Sequence, residues 1–147
     1  MTIRDAGPGE APILEELQRR ASLHGEAYRA QLMAHPDAIE VEAAAIAAGL
    51  VRVAWVDGRR AGFSAVRPVD AGDCELDGLF VEPELMGGGI GRALVADVAR
   101  RAVAGGATRI VVIANPQAVG FYERMGFGSG SPADTRFGPA HWMHRTL

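Results

Sequence analysis

A run of glycines in the middle of the chain has the composition of a phosphate-binding loop. Residues 79–94 read LFVEPELMGGGIGRAL, with four glycines among positions 87–91. Glycines remove the Cβ atoms that would hold a ligand away from the backbone. A helix that begins beside them offers unpaired N–H groups and the positive end of its dipole. A buried strand, a bare loop and a helix start in this order therefore predict a site for a phosphate group.

The spacing of the glycines excludes two common phosphate-binding loops. A Walker loop places a lysine and a hydroxyl residue after its last glycine, whereas Gly91 is followed by an arginine and an alanine. A dinucleotide-binding loop needs glycines at relative positions one, three and six. The sixth position is Arg92 when counted from Gly87, and Leu94 when counted from Gly89. The loop also follows a predicted hairpin in mid-chain and does not open a βαβ series.

The hydrophobic pattern places this loop inside an α+β fold, a mixed sheet flanked by helices. Strands are predicted at residues 2–4, 50–56, 60–66, 74–81 and 109–114, and helices at 8–22, 90–103 and 117–125. Asp57-Gly58 predicts a tight hairpin turn. Residues 25–48 are predicted as two short helices with a break near Pro36, and the tail, residues 127–147, as the last strands around a long loop. The continuous apolar run at 109–114 is typical of a strand covered on both faces.

The composition limits the classes of function. With 147 residues, 48% of them hydrophobic, the chain is expected to form one domain spanning residues 1–147. The net charge of −3 and the lack of long basic runs exclude a broad nucleic-acid surface. Neither a signal segment nor a membrane span is evident, so we expect a soluble, cytoplasmic protein without a membrane partner.

Cysteine and histidine usage points away from metal and thiol chemistry. Cys74 is the single cysteine, which excludes an internal disulfide and a multi-cysteine zinc site. Its position at a strand start, without a basic neighbour, indicates a packed side chain and not a nucleophile. His141 and His144 would face opposite sides of a strand, so no metal is expected.

Two blocks of sequence resemble the GNAT N-acetyltransferase superfamily. The first reads ELDGLFVEP at residues 75–83, followed by GGGIGRAL at 87–94, and is similar to the acetyl-CoA signature Q/R-x-x-G-x-G/A. The second reads NPQAVGFYERMGF at 115–127 and is similar to the asparagine, alanine and F-Y-E-x-x-G-F segment of that family. Their order and separation match, and Met86 stands where the family has glutamine or arginine. The resemblance implies a mostly antiparallel central sheet with a splayed strand pair at the coenzyme A site.

The resemblance also implies acetyl-CoA as co-substrate. Loop amides would meet its pyrophosphate, and the pantetheine arm would pair with strand backbone, while Asn115 bonds the arm or an ordered water. The implied cofactor-binding residues are Leu79, Phe80, Val81, Gly87, Gly88, Gly89, Ile90, Gly91, Arg92, Asn115 and Phe121. Plainer interpretations remain open: a tight strand–helix turn for the glycines, core packing for residues 79–81, a solvated side chain for Arg92 and a helix cap for Asn115.

Three residues are candidates for the chemistry. The phenol of Tyr122 has an ordinary pKa of about 10, close to that of an alkyl thiol, so it suits protonation of the departing sulfur; the alternative is a packed aromatic. Glu75 is the first candidate for a base and Asp77 the second, or either is a surface carboxylate. They lie two apart on one strand and face one side unless a bulge intervenes, for which Gly78 is a plausible place.

These residues lead to one functional hypothesis and a rival. The hypothesis is direct attack of an acceptor amine on the thioester, with a backbone N–H near Val81 polarising the carbonyl and no covalent enzyme intermediate. The rival is a non-catalytic acyl-CoA-binding or regulatory module on the same fold. The acceptor, a small molecule or a peptide, is expected to contact residues 22–37 and 128–140, which carry no recognisable motif. The resemblance allows a homodimer, because members of the family often form one.

Overall fold

The computed structural model describes residues 1–24, 38–135 and 138–147. The strands are β1 (Thr2–Asp5), β2 (Val51–Val56), β3 (Arg59–Val66), β4 (Asp73–Val81), β5 (Arg109–Ala114), β6 (Gly128–Thr135) and β7 (Gly138–Thr146). The helices are α1 (Ala11–His24), α2 (Ala43–Ala47), α3 (Ile90–Ala104) and α4 (Val119–Arg124), with a 3-10 turn at Pro83–Leu85. The predicted break near Pro36 and most of the predicted acceptor segment 22–37 lie outside the described residues. Of the second predicted acceptor segment, 128–140, residues 136–137 lie outside them.

The described strands form one sheet in the order β1-β2-β3-β4-β5-β7-β6. Neighbouring strands are antiparallel except for β4 and β5, which are parallel. The predicted mixed, mostly antiparallel sheet is therefore confirmed. The hairpin between β2 and β3 turns at Asp57 and Gly58, whose φ values of 50° and 75° are those of the expected primed turn.

Helices pack on both faces of the sheet and divide the core in two. On one face, Leu14 and Leu17 of α1 pack with Val53 and Phe63 of the sheet. On the other face, α3 buries Val95, Val98 and Ala102 against β4, β5 and β7, and it buries Ile90 and Leu94 against Ala54 of β2 and Ala61 near the start of β3. The amphipathic stripe predicted for residues 90–103 therefore faces the core.

Strand β5 departs from the prediction that it is covered on both faces. Ile110 and Val112 are buried against α3, but Ile113, on the other face, is 41% exposed. Among the described helices, those on that second face pack against β2, β3 and the end of β4 instead. The prediction was wrong because a run of apolar residues shows that a strand is hydrophobic, but it does not show whether a helix covers each of its faces.

A buried ion pair joins α3 to β2. Asp97 is buried in the helix, and its carboxylate accepts hydrogen bonds from Nε and Nη2 of Arg52 at 3.1 and 3.0 Å. Arg52 also donates to Asp5 at 3.0 Å. The hydrogen bond to Asp97 raises the pKa of Arg52, despite its partial burial. A carboxylate inside a core needs such partners, so this pair fixes the position of α3 on the sheet.

No helix among the described residues is both long enough and apolar enough to span a membrane.

Candidate functional site

Strands β4 and β5 separate halfway along their length. They pair from Asp73 and Arg109 to Leu76 and Val112. Beyond that point β4 continues through residues 77–81 with hydrogen bonds to β3, while β5 remains paired with β7. The strands therefore diverge, and the splayed pair expected from the sequence is present.

A cavity of about 700 Å³ opens beside this separation, on the sheet face that carries α3 and α4. Ten of the fourteen predicted site residues line it: Leu79, Val81, Gly87, Gly89, Ile90, Gly91, Arg92, Asn115, Phe121 and Tyr122. The remaining four, Glu75, Asp77, Phe80 and Gly88, lie outside its described walls. The volume falls within the range typical of small-molecule sites.

The glycine loop forms one wall of the cavity. Gly87 and Gly89 have φ values of 85° and 86°, which L side chains rarely adopt. A Cβ placed on either would meet no described atom within 4 Å, so the loop faces open space. Gly91 serves a different purpose, because a Cβ there would lie 3.2 Å from two ring carbons of Phe121. Its lack of a side chain lets α3 begin close against α4.

The first turn of α3 points its amides at the open side of the loop. The carbonyl of Gly89 accepts from the N–H of Ala93 at 3.0 Å, so the helix begins here. The N–H groups before Ala93 have no intrahelical acceptor, and they lie at the positive end of the helix dipole. The arginines Arg92 and Arg124 line the same cavity. Met86 is 46% exposed at this wall, so the position of the family glutamine or arginine holds an apolar side chain.

Tyr122 is both packed and part of the cavity wall. Its ring makes edge contacts with Phe121 and Phe127, with centroids 5.2 and 5.3 Å apart. Burial raises the pKa of the Tyr122 phenol well above the ordinary value near 10. The expected match with a thiol pKa is therefore absent in this state. The phenol stays protonated across the neutral range and is suited only to donating a proton.

The side-chain oxygen of Asn115 closes the turn after β5. Its Oδ1 accepts from the N–H of Ala118 at 2.9 Å, and its backbone carbonyl accepts from the same N–H at 3.0 Å. The oxygen thus closes a turn before α4 and is not a cap of that helix, whose N-cap residue is Ala118. The amide NH₂ group is a separate donor, and the residue lines the cavity.

A bulge in β4 places the two candidate bases together. Ala65 pairs with Gly78 and Val66 pairs with Leu76, which leaves Asp77 as the extra residue. The bulge thus lies directly before Gly78, close to the predicted place. It increases the local twist and re-aims the side chain of Asp77.

Both carboxylates contact Arg67, which the sequence gave no reason to select. Nε of Arg67 lies 2.9 Å from Oε2 of Glu75 and 3.5 Å from Oδ1 of Asp77. The charges of Asp77 and Glu75 raise the pKa of Arg67 above its ordinary value. Leu79 and Val81 line the cavity, whereas Glu75, which lies between the α3-facing Cys74 and Leu76, points to the opposite face of β4.

The other two predicted residues outside the cavity are structural neighbours of it. The ring of Phe80 packs against Phe63 at 5.3 Å on the α1 face, which supports the core interpretation of its side chain. Its carbonyl lies so close to β3 that a Cβ on Gly62 would be 2.6 Å from it. Gly88 sits within the loop, where a Cβ would lie 3.4 Å from the carbonyl oxygen of Leu85.

Glu82 anchors the loop and was not predicted as a site residue. It is buried at the end of β4 and accepts hydrogen bonds from Arg20 at 2.9 and 3.3 Å and from Arg59 at 3.0 Å. Burial alone would raise the pKa of Glu82, but the bonds from Arg20 and Arg59 outweigh it and hold the pKa below the ordinary value. The partners lie 62 and 23 residues away, so no local pattern indicated them.

Cys74 and the two histidines take the positions expected of them. Cys74 is buried beneath α3, and burial raises the pKa of its thiol. His141 and His144 pair with Ala114 and Val111 on β5, three residues apart and therefore on opposite faces of β7.

Comparison with known proteins identifies the family of this chain. The sequence profile of the acetyltransferase (GNAT) family matches residues 14–127. The chain belongs to the GNAT family. Peptidyl-lysine N-acetyltransferase YjaB from Salmonella typhimurium is 46% identical over 52 residues, which are 35% of this chain and 34% of YjaB. The aligned part thus spans about a third of that curated relative.

Solved GNAT structures share the fold along nearly the whole chain. PaiA N-acetyltransferase from Thermoplasma acidophilum, solved with coenzyme A, aligns with a TM-score of 0.79 at 20% identity, covering 99% of this chain and 98% of its own. A GCN5-related N-acetyltransferase from Rhodopseudomonas palustris aligns with a TM-score of 0.82 at 20% identity, covering 99% and 95%. At this identity the likeness establishes the fold, and the expected GNAT-like architecture is confirmed.

Proposed function

We propose that this GNAT chain transfers an acetyl group from acetyl-CoA to a primary amine. The observation that carries the proposal is the opening between β4 and β5, with helix-terminal amides on one wall and Tyr122 on another. PaiA, which shares the fold, was solved with coenzyme A. YjaB, which shares local sequence, is named for transfer to peptidyl-lysine.

The residues of the cavity suit the parts of coenzyme A. The amides of Gly87 to Arg92 would bind the pyrophosphate, with the guanidinium of Arg92 adding a charge. The backbone of β4 beyond Leu76 has lost its partner strand β5 and would pair with the amide groups of the pantetheine arm. The NH₂ group of Asn115 is a further donor on the opposite wall.

The reaction balances without a covalent enzyme intermediate. The acceptor ammonium gives one proton to Glu75, Asp77 or water, and its nitrogen lone pair forms a bond to the acetyl carbon. A backbone N–H near Val81 stabilises the oxyanion, and the carbon–sulfur bond then breaks. Tyr122 donates its proton to the leaving sulfur and regains one from the acceptor nitrogen, directly or through water.

The rival function is binding of acyl-CoA without turnover. Two observations favour it: Glu75 and Asp77 are held by Arg67, and burial raises the pKa of Tyr122, which makes it a weaker acid. Both functions predict coenzyme A binding, so only turnover separates them.

The deciding experiment combines binding and turnover. Acetyl-CoA is incubated with n-butylamine, spermidine and a lysine-containing peptide, and free thiol is followed with a thiol-reactive dye, while calorimetry gives the Kd for coenzyme A. Tyr122→Phe keeps the ring and removes the proton, so we expect kcat to fall about 100-fold with Kd unchanged within about twofold. An unchanged kcat would remove Tyr122 from the mechanism. Normal binding with no turnover of any amine would favour the rival.

A further inference from the structure

Arg67 occupies a position between two carboxylates at the point where the sheet splits. It directly follows β3, and its backbone N–H donates to the carbonyl of Glu75 at 3.0 Å. Its Nε lies 2.9 Å from the Glu75 carboxylate and 3.5 Å from that of Asp77. The backbone contact fixes where the side chain starts. The Arg67 side chain is 65% exposed, so it has room to move away.

The location of this cluster relates it to the proposed acyl site. Leu76 makes the last β4 pair with Val112, so Glu75 and Asp77 flank the residue at which the strands part. The cavity lies on the α3 face of the sheet, whereas Glu75 points to the other face, where it lines a groove with Asp73 and Arg109. A group that passes between the separated strands from the cavity emerges beside these two carboxylates.

The charges of the cluster are unbalanced. Two carboxylates face one guanidinium, which leaves one negative charge. The adjoining groove on this face is lined by Asp70, Asp73, Arg109 and His144, and Asp73 is itself paired with Arg109 at 2.7 Å. Ion pairs as exposed as that of Arg67 are worth little, so a second cation competes easily for the same oxygens.

We propose that Arg67 is a resident substitute for the ammonium group of the acceptor, which displaces the guanidinium from Glu75 and Asp77 on binding. The proposal rests on the proposed acetyl transfer and deepens it by naming the acceptor class: a cationic alkylamine that carries no carboxylate on its chain. A carboxylate there would face Glu75 and Asp77 and be repelled. Arg67 is a positioning residue, since its guanidinium holds the two carboxylates side by side until the acceptor arrives.

The displacement is tested on the full chain loaded with coenzyme A. The probe is n-butylammonium chloride, titrated against sodium chloride of equal ionic strength, and the readout is the ¹⁵N NMR signal of arginine Nε–H groups. The Arg67 signal is assigned by its loss in Arg67→Gln. We expect it to move saturably with butylammonium and not with sodium. A signal that moves no more with butylammonium than with sodium overturns the proposal.

Variants and a matched second probe sharpen the result. Arg67→Gln should bind butylammonium up to about fivefold more tightly, because an exposed ion pair no longer competes, and its KM should fall by more than its kcat changes. Arg67→Lys should restore the wild-type affinity. Arg100→Gln is the control, because the Arg100 side chain is 69% exposed and lies 3.7 Å from Asp97 on α3, and it should change nothing.

The probe 4-aminobutanoate has the same carbon chain with a carboxylate at its end. We expect it to bind more weakly than butylammonium in the wild type. If Arg67→Gln instead weakens 4-aminobutanoate and leaves butylammonium unchanged, Arg67 recognises an acceptor carboxylate and the proposal is wrong. Calorimetry with coenzyme A alone distinguishes a failure of the proposed function from a failure of this inference. Loss of that binding contradicts the proposed function, whereas normal binding with an unmoved Arg67 signal contradicts only this inference.

Discussion

Alanine at Gly89 is expected to damage coenzyme A binding beyond its effect on stability. Gly89 is the N-cap of α3, with a φ of 86°, and lines the cavity. Gly106, just beyond the other end of the same helix, also has a φ of 86°. A Cβ at either position would meet no described atom within 4 Å. Gly89→Ala and Gly106→Ala therefore impose the same backbone strain, and only the first lies at the candidate site.

The magnitudes of the two effects are separable. Placing alanine in the left-handed region costs about 1–2 kcal/mol, which for a chain of this size lowers Tm by about 3–8 °C in both variants. At Gly89 the added methyl group also takes space that a bound phosphate would use. Losing one charge-assisted hydrogen bond costs about 1.5–3 kcal/mol, which weakens the Kd for coenzyme A about 10- to 150-fold.

Thermal unfolding gives the first quantity, and titration calorimetry with coenzyme A gives the second. The calorimetry is done below the unfolding transition of both variants, so that each variant is folded when its Kd is measured. We expect similar Tm values for the two variants and a weakened Kd for Gly89→Ala alone. A Kd for Gly89→Ala within about twofold of that for Gly106→Ala would refute the assignment of the loop to the pyrophosphate.

Two further predictions concern Glu82 and Met86, which precede the glycine loop. The pKa of Glu82 is lowered on folding, so its ion pairs stabilise the protein above the unfolded pKa near 4.5 and cease to do so as the pH falls through the lower folded value. Glu82→Gln should therefore cost about 2 kcal/mol at pH 7 and progressively less in urea unfolding as the pH is lowered below 4.5; a cost that does not change with pH would contradict the ionic origin. Met86→Arg should tighten coenzyme A binding about two- to fivefold, with the gain lost in high salt, and unchanged calorimetry would show that this position faces away from the phosphates.

The elements with a strong local signal were predictable because their causes are local. The four-residue spacing from Ile90 to Ala102 follows from one helical face, and the turn at Asp57-Gly58 follows from backbone conformation. The pair Arg52–Asp97 was not predictable, since it joins residues 45 positions apart. Its formation depends on how α3 crosses the sheet, and no periodicity encodes that.

The site shows the same division. The period of a strand predicted that Glu75 and Asp77 share a side unless a bulge intervenes, and the bulge fell at Asp77, next to Gly78. The ion pairs of both carboxylates with Arg67 were missed because they depend on the register between β3 and β4. The ordinary pKa of a tyrosine phenol does not apply to Tyr122, because packing within the fold desolvates the phenol and raises its pKa.

The two faces of the split sheet carry opposite electrostatic character, and this bears on the order of the proposed chemistry. The face with α3 offers helix-terminal amides and Arg92, which suit an anionic ligand, whereas the other face offers Glu75 and Asp77. An anionic acyl donor and a cationic acceptor would then occupy separate positions at the same time. Such a ternary complex favours direct transfer. A two-step route would need a nucleophile, and Cys74, the one cysteine of the chain, is buried beneath α3 with a raised pKa.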